Sequence, residues 1–213
     1  MLSRSFYIIL TNRPKFADII EKALRQYAIV LSRRRAAYRA KGYVKYTWEV
    51  PADRFYKEDT NSVCPQIENH ALMPYIQENR VSSPEQKFTT FLEENTEYID
   101  WWYKNGDSGK QHYAISYTNV NGDKALFYVD FVIRMKNGQV FLFDTKSEDS
   151  DKNAPCKHNA LIDYIHSEEN ADKHLKGGVI IQSGENWKYC PLKIENTTDI
   201  SGWDCFYPDE YKV

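Results

Sequence analysis

Phe127-Tyr128-Val129-Asp130-Phe131-Val132-Ile133 and, beyond Lys136-Asn137-Gly138, Val140-Phe141-Leu142-Phe143-Asp144-Thr145-Lys146 form the stretch whose reading decides the fold. Residues 126–135 and 139–146 are apolar enough to be interior strands, and the glycine between them predicts a hairpin. Charges in such strands are costly unless they are paired or bound to a metal. Asp144 and Lys146 are two apart, so in a strand they share a face. The loop decides where Asp130 falls. A two-residue Asn137-Gly138 loop sets Asp130 opposite Thr145, with Asp130 and Asp144 on opposite faces. A three-residue Lys136-Asn137-Gly138 loop sets Met135 opposite Gln139 and Asp130 opposite Asp144, on one face. That loop needs a left-handed residue at its third position, where Gly138 stands. We therefore expect the three-residue loop.

Two aspartates facing across a ladder repel, and a hard divalent cation relieves them. Carboxylates with few other ligands suit Mg2+, or Mn2+ in its place. The expected metal shell is Asp130, Asp144 and the main-chain carbonyl of Thr145, with Glu85 completing it or handling a proton. Lys146 is expected to orient the attacking water and steady developing phosphate charge. The competing reading is a plain salt bridge between Asp144 and Lys146 at a strand end.

Working outward, Ser83-Pro84-Glu85 opens a helix, with Ser83 as its expected cap and Phe88, Phe91 and Leu92 as its apolar face. Residues 98–103 and 112–117 read as strands, 156–168 as a second helix, 178–182 as a strand and 187–190 as another. Upstream, residues 16–40 read as one long helix. Ile19, Ile20, Ala23, Leu24, Tyr27, Val30 and Leu31 suggest one buried face, and Gly42 a stop. A short strand is expected at 46–50, within punctuated irregular chain. The expected division is a helical arm over 1–50 and a compact domain over 51–213. The fold class is α/β, a central mixed sheet flanked by helices in α-β-β-β-α-β order, preceded by the arm.

Composition sets bounds. Aromatics make up 15% of the 213 residues, enough for a sizeable core. Net charge is -2, yet from Lys22 to Tyr46 there are eight Lys or Arg residues and no acid. Arg33, Arg34 and Arg35 centre that block. It is a DNA-backbone contact, a solvated face or a docking surface. Four separated cysteines suggest reduced thiols and a cytoplasmic protein. No 18-residue apolar run and no signal-peptide pattern at residues 1–10 are seen, so no membrane role is expected.

Asp130 followed across a hairpin by Asp144-Thr145-Lys146 resembles the PD-(D/E)XK nuclease motif, and the element order is similar to that superfamily's restriction-endonuclease-like core. Val129 stands where the pattern has proline, and the second acid is Asp instead of the commoner Glu. Between Trp48 and Trp187, the segments Pro84-Glu85-Gln86-Lys87-Phe88, Trp101-Trp102-Tyr103-Lys104-Asn105-Gly106, Tyr128-Val129-Asp130-Phe131, Phe143-Asp144-Thr145-Lys146, Lys157 and Ala160-Leu161-Ile162-Asp163-Tyr164 follow in order. Together they resemble the C-terminal endonuclease region of type III restriction subunits and related DEAD/DEAH-type helicases. The resemblance implies cleavage of duplex DNA with Mg2+, an ATP-driven motor elsewhere in the parent chain and a modification subunit. Glu85 matches the acid of the first core helix in that pattern.

Other features are weaker. Gly106-Asp107-Ser108-Gly109-Lys110 lacks the full phosphate-loop pattern, so no ATP site is expected in this chain. Trp101 to Lys104 reads as a half-buried strand, with Lys104 as an alternative phosphate contact. Lys157 is either a contact to the cut phosphate or a helix-surface lysine, and Lys152 is a lesser candidate. Asp149 and Asp151 fall in a polar loop.

Overall fold

The computed structural model describes residues 13–42, 48–52, 61–78, 81–109, 111–146 and 152–212. Its helices are α1 (Arg13–Ala40), α2 (Ser83–Glu94) and α3 (Ala154–Ile165). Its strands are β1 (Asn61–Val63), β2 (Ile76–Glu78), β3 (Ile99–Lys104), β4 (Ile115–Thr118), β5 (Lys124–Phe127), β6 (Phe131–Met135), β7 (Val140–Lys146), β8 (Leu175–Ser183), β9 (Asn186–Tyr189) and β10 (Asp204–Cys205). Six of them form a mixed sheet in the order β10-β9-β8-β7-β6-β3. Within it β7 and β8 are parallel, and α3 makes the crossover between them. β1–β2 and β4–β5 are separate antiparallel pairs.

Alternation along β6 and β7 divides the core. Phe131, Ile133, Phe141 and Phe143 pack with Phe88 and Leu92 of α2. On the other face, Val132 and Leu142 pack with Leu161 and Ile165 of α3. The hairpin between these strands is the three-residue form. Met135 N–H donates to Gln139 O at 2.8 Å, Gly138 N–H donates to Met135 O at 2.9 Å, and Gly138 has φ 87°. The ladder then runs through Ile133↔Phe141 to Phe131↔Phe143 and stops.

Four expectations are corrected. The single strand over 126–135 is two, β5 and β6, broken at residues 128–130. The cap of α2 is Ser82, not Ser83: its Oγ accepts from Glu85 N–H, and the Glu85 carboxylate accepts from Ser82 N–H at 2.7 Å. The apolar stripe of α1 is not buried among the described residues: Ile20, Leu24 and Tyr27 are 60%, 63% and 65% exposed. Periodicity marks an apolar face, but what covers it is a tertiary matter. Residues 48–50 are not strand, and 46 and 47 lie outside the described residues, as do Asp149 and Asp151. Among the described residues, α1 docks by its far end, where Ser116 Oγ donates to the Ala40 carbonyl at 2.6 Å. No helix among the described residues is long and apolar enough to cross a membrane.

Two glycines carry backbone constraints on this arrangement. A side chain at Gly138 meets nothing but must adopt the left-handed conformation, whereas a Cβ at Gly177 (φ 142°) lands on the Leu142 carbonyl of the neighbouring parallel strand. Gly138→Val is expected to cost about 1–2 kcal/mol in urea unfolding. Gly177→Ala should cost more, because it also pries β8 from β7. Equal losses in the two variants contradict this account.

Candidate functional site

Asp130 lies where the main sheet gives out. Asn105, just past the end of β3, is buried and bonds to residues 129 and 130 of the break and to Tyr113 before β4. Its Nδ2 donates to Tyr113 O at 2.7 Å and to Val129 O at 2.9 Å, and its Oδ1 accepts from Tyr113 N–H at 3.0 Å. Its own N–H donates to Asp130 O at 2.8 Å. These bonds draw residues 129–130 away from β7. Thr145 N–H, left without a ladder carbonyl from β6, is met instead by the Asp130 side chain. Asp130 Oδ2 accepts from Thr145 N–H at 2.7 Å and from Thr145 Oγ1 at 2.6 Å. Asp130 and Asp144 are therefore not a flat cross-strand pair. The register would set them opposite each other, but the ladder ends one pair earlier.

The charges approach this edge from two sides. From the α2 side, Lys104 Nζ sits 2.6 Å from Glu85 Oε1 and 3.7 Å from Asp130 Oδ1. Lys104 is only 6% exposed and lies over the Phe131 ring. Burial raises the Glu85 pKa, but the charge and hydrogen bond of Lys104, with the Ser82 contacts, outweigh it and hold the carboxyl below the ordinary glutamate value. In β7, Asp144 and Lys146 fall in step with Leu142, whose face packs on α3. Lys146 Nζ lies 2.8 Å from Asp144 Oδ2. Asp144 is 4% exposed, so this ion pair with Lys146 is largely shielded from solvent. Burial first, then the Asp130 charge, push the Asp144 pKa up to about 7; Lys146 and Lys157 act in the opposite sense.

The expected site residues thus fall into groups. Asp130, Thr145 and Asp144 gather at one strand edge, with Lys146 on Asp144 and the half-buried Lys157 of α3 close enough to act on it. Glu85 reaches Asp130 only through Lys104, and its carboxylate is already engaged by Ser82 and Lys104. Among the described residues, no three His, Cys, Asp or Glu side chains assemble as a metal-holding group, so the shell with Glu85 as a ligand is not formed. Asp144 and Asp130 share this edge, with Asp130 Oδ2 engaged by Thr145. Thr145 offers its carbonyl on the same side as its Asp130-bound N–H, because both groups of a residue in a strand point one way. Arg33, Arg34 and Arg35 are exposed on α1. Lys104 is an internal ion and not a surface phosphate contact. Its burial was legible in part, since Trp102 and Lys104 share a strand face. The clamp formed by Asn105 left no local signal.

Comparisons with protein-family models, with curated proteins and with solved structures found no match.

Asp144 carries a stability cost that depends on pH. With its folded pKa raised from 3.8 to about 7, the folded state holds the proton longer than the unfolded one. Stability is therefore highest at low pH, as far as this group is concerned, and falls as pH rises through 7. In chelator, Asp144→Asn should melt above wild type at pH 8, by a few kcal/mol at about 1.4 kcal/mol per pKa unit. The gain should shrink by pH 5. Calorimetry showing the same difference at both pH values contradicts the assignment.

Proposed function

We propose that the chain is an endonuclease domain of the PD-(D/E)XK kind, hydrolysing DNA phosphodiester bonds with Mg2+. One observation carries the reading: a buried Asp144 carboxylate, paired with Lys146 at 2.8 Å, lies beside a second carboxylate, Asp130, at the same sheet edge. Burying two neighbouring carboxylates is expensive, and a hard cation would offset that cost. Support also comes from the chain order through the main sheet, α2-β3-β6-β7-α3-β8, with β4–β5 inserted. That order fits a restriction-endonuclease-like core.

Asp130, Asp144 and the Thr145 carbonyl would hold the metal. When bound, Mg2+ supplies a Lewis acid for the phosphate and lowers the pKa of attacking water. Lys146, held by Asp144, orients the water and offsets charge on the phosphate. Lys157, whose charge acts on Asp144, would meet a neighbouring phosphate. The cationic length of α1 around Arg33, Arg34 and Arg35 suits the backbone of duplex DNA. By the resemblance, an ATP-driven helicase or translocase module and a modification subunit are its partners in a type III restriction or helicase-nuclease system.

A second reading is a non-catalytic DNA-binding or motor-docking module on the same fold. The exposed apolar stripe of α1, which nothing among the described residues covers, is the observation that favours it.

Plasmid nicking with Mg2+ separates the two. Wild type should cut, and Asp144→Ala and Lys146→Ala should each lower the rate by at least about 100-fold, the scale of losing a group that stabilises the transition state. Their circular dichroism should stay native. Cutting by Asp144→Ala at the wild-type rate ends the nuclease reading. Replacing Arg33, Arg34 and Arg35 together by Ser should weaken duplex binding regardless of sequence and flatten its salt dependence by up to about three phosphate contacts. An unchanged salt slope assigns the arm to docking.

A further inference from the structure

We propose that α1 docks an amphipathic helix of a partner protein, one with an apolar face and a cluster of carboxylates at the end that lies over Arg33, Arg34 and Arg35. The inference rests on the docking reading of α1 and is independent of the chemistry at Asp130 and Asp144.

The apolar exposure of the protein is concentrated on this helix. Seven of the twelve large exposed hydrophobics among the described residues belong to α1, and the other five are scattered over separate parts of the chain. Ile19, Ile20, Leu24, Tyr27 and Val30 follow the three-four spacing and line one side, each more than half exposed. Residues 17–30 are exposed throughout, while the bonds from Ala40 to Ser116 and from Arg39 to Gly109 hold the far end. A continuous stripe of this kind is the surface that a second helix covers in a coiled coil.

Charge gives that second helix its character. In the first half of α1 the two acids are already matched: Lys22 Nζ lies 2.8 Å from Asp18 Oδ2, and Arg25 Nη2 lies 2.5 Å from Glu21 Oε1. Arg33, Arg34 and Arg35 are exposed and pair with no carboxylate among the described residues. Arg34 follows Tyr27 by seven residues, two turns on, so it continues the stripe, and Arg33 and Arg35 flank it. The complement of this face is therefore apolar along its length and acidic at one end. From Ile19 to Arg35 the face runs for about 24 Å, the length of a helix of some five turns.

Other occupants fit less well. A DNA backbone answers the arginines but leaves the stripe in water. A lipid surface covers the stripe but draws Arg34, in line with it, toward the acyl chains. A second α1 supplies a matching stripe but the wrong charge, because the helix has eight Lys or Arg and two acids.

Fluorescence anisotropy of the full chain tests this with two synthetic peptides of about 20 residues. Both carry leucines at three-four spacing; one has glutamates at one end, where its twin has lysines. Wild type should bind the Glu peptide at least about 10-fold tighter than the Lys peptide. Ile20→Gln with Leu24→Gln should weaken the Glu peptide at least about 100-fold and keep a native circular dichroism spectrum, since both side chains stand in solvent. With Arg33, Arg34 and Arg35 replaced together by Ser, the two peptides should bind alike. Equal binding of both peptides to wild type overturns the acidic partner and leaves docking standing. Binding of neither, with a duplex salt slope that falls in the arginine variant, makes α1 a DNA contact and removes the docking reading as well. Two further results overturn the proposal. One is a wild-type dimer in sedimentation that the glutamine variant dissociates, which assigns the stripe to a second copy. The other is stripe-dependent attachment to phosphatidylcholine–phosphatidylserine vesicles without binding of the Glu peptide, which assigns it to lipid.

Discussion

The Asn105 carboxamide joins chain segments that no ladder connects, and the acidic edge depends on that junction. By gripping Tyr113 and Val129 with its side chain and Asp130 with its main chain, it ends the pairing of β6 with β7 at Phe131↔Phe143. β5 is released to pair with β4 in a sheet of its own. Had the ladder run on by one more bonded pair, Thr145 N–H would have met a backbone carbonyl, and Asp130 would have been an ordinary strand residue. Instead a carboxylate replaces a strand as the partner of β7. A buried amide with all its bonds satisfied is well suited to such a task, because its donors and acceptor are directional and uncharged.

Around that edge the protein answers each buried carboxylate differently. Glu85 and Asp130 share one ammonium, and hydrogen bonds from Ser82 and Thr145 complete their shells. Asp144 has the Lys146 ammonium at 2.8 Å, yet burial and the Asp130 charge outweigh it and raise its proton affinity. Identical chemistry in neighbouring strands thus acquires distinct character from burial and partners. Phe88, Phe131, Phe143 and Trp187 pack as a rigid aromatic cluster on the α2 side, and Phe131 forms the apolar wall beside Lys104. Core packing and the ion network are therefore one construction there.

Much of this was legible in the sequence because it is local. The left-handed demand at Gly138 fixed the hairpin, and apolar runs marked β6, β7 and β8. Proline and serine announced α2, with the cap misplaced by one residue since Ser82 and Ser83 are adjacent and only one closes a box with Glu85. What escaped was long-range. The break at 128–130 comes from Asn105, 24 residues upstream of Val129, and a continuous apolar stretch gives no hint of it. The half-buried strand of Lys104 was legible, but its ion pair was not, because its partner Glu85 lies on another element. The stripe on α1 has the right periodicity for a buried helix, yet periodicity is silent about whether a neighbour exists.

Lys104 is tethered to the backbone. A chelator cannot strip it and a change of ionic medium cannot exchange it, so Asp130 and Glu85 keep their compensating charge wherever the protein is placed. Asp144 is likewise tethered to Lys146, yet burial and the Asp130 charge raise its pKa to about 7. Responsiveness to the surroundings is therefore concentrated on a single carboxylate, and the rest of the acidic edge is insulated from it.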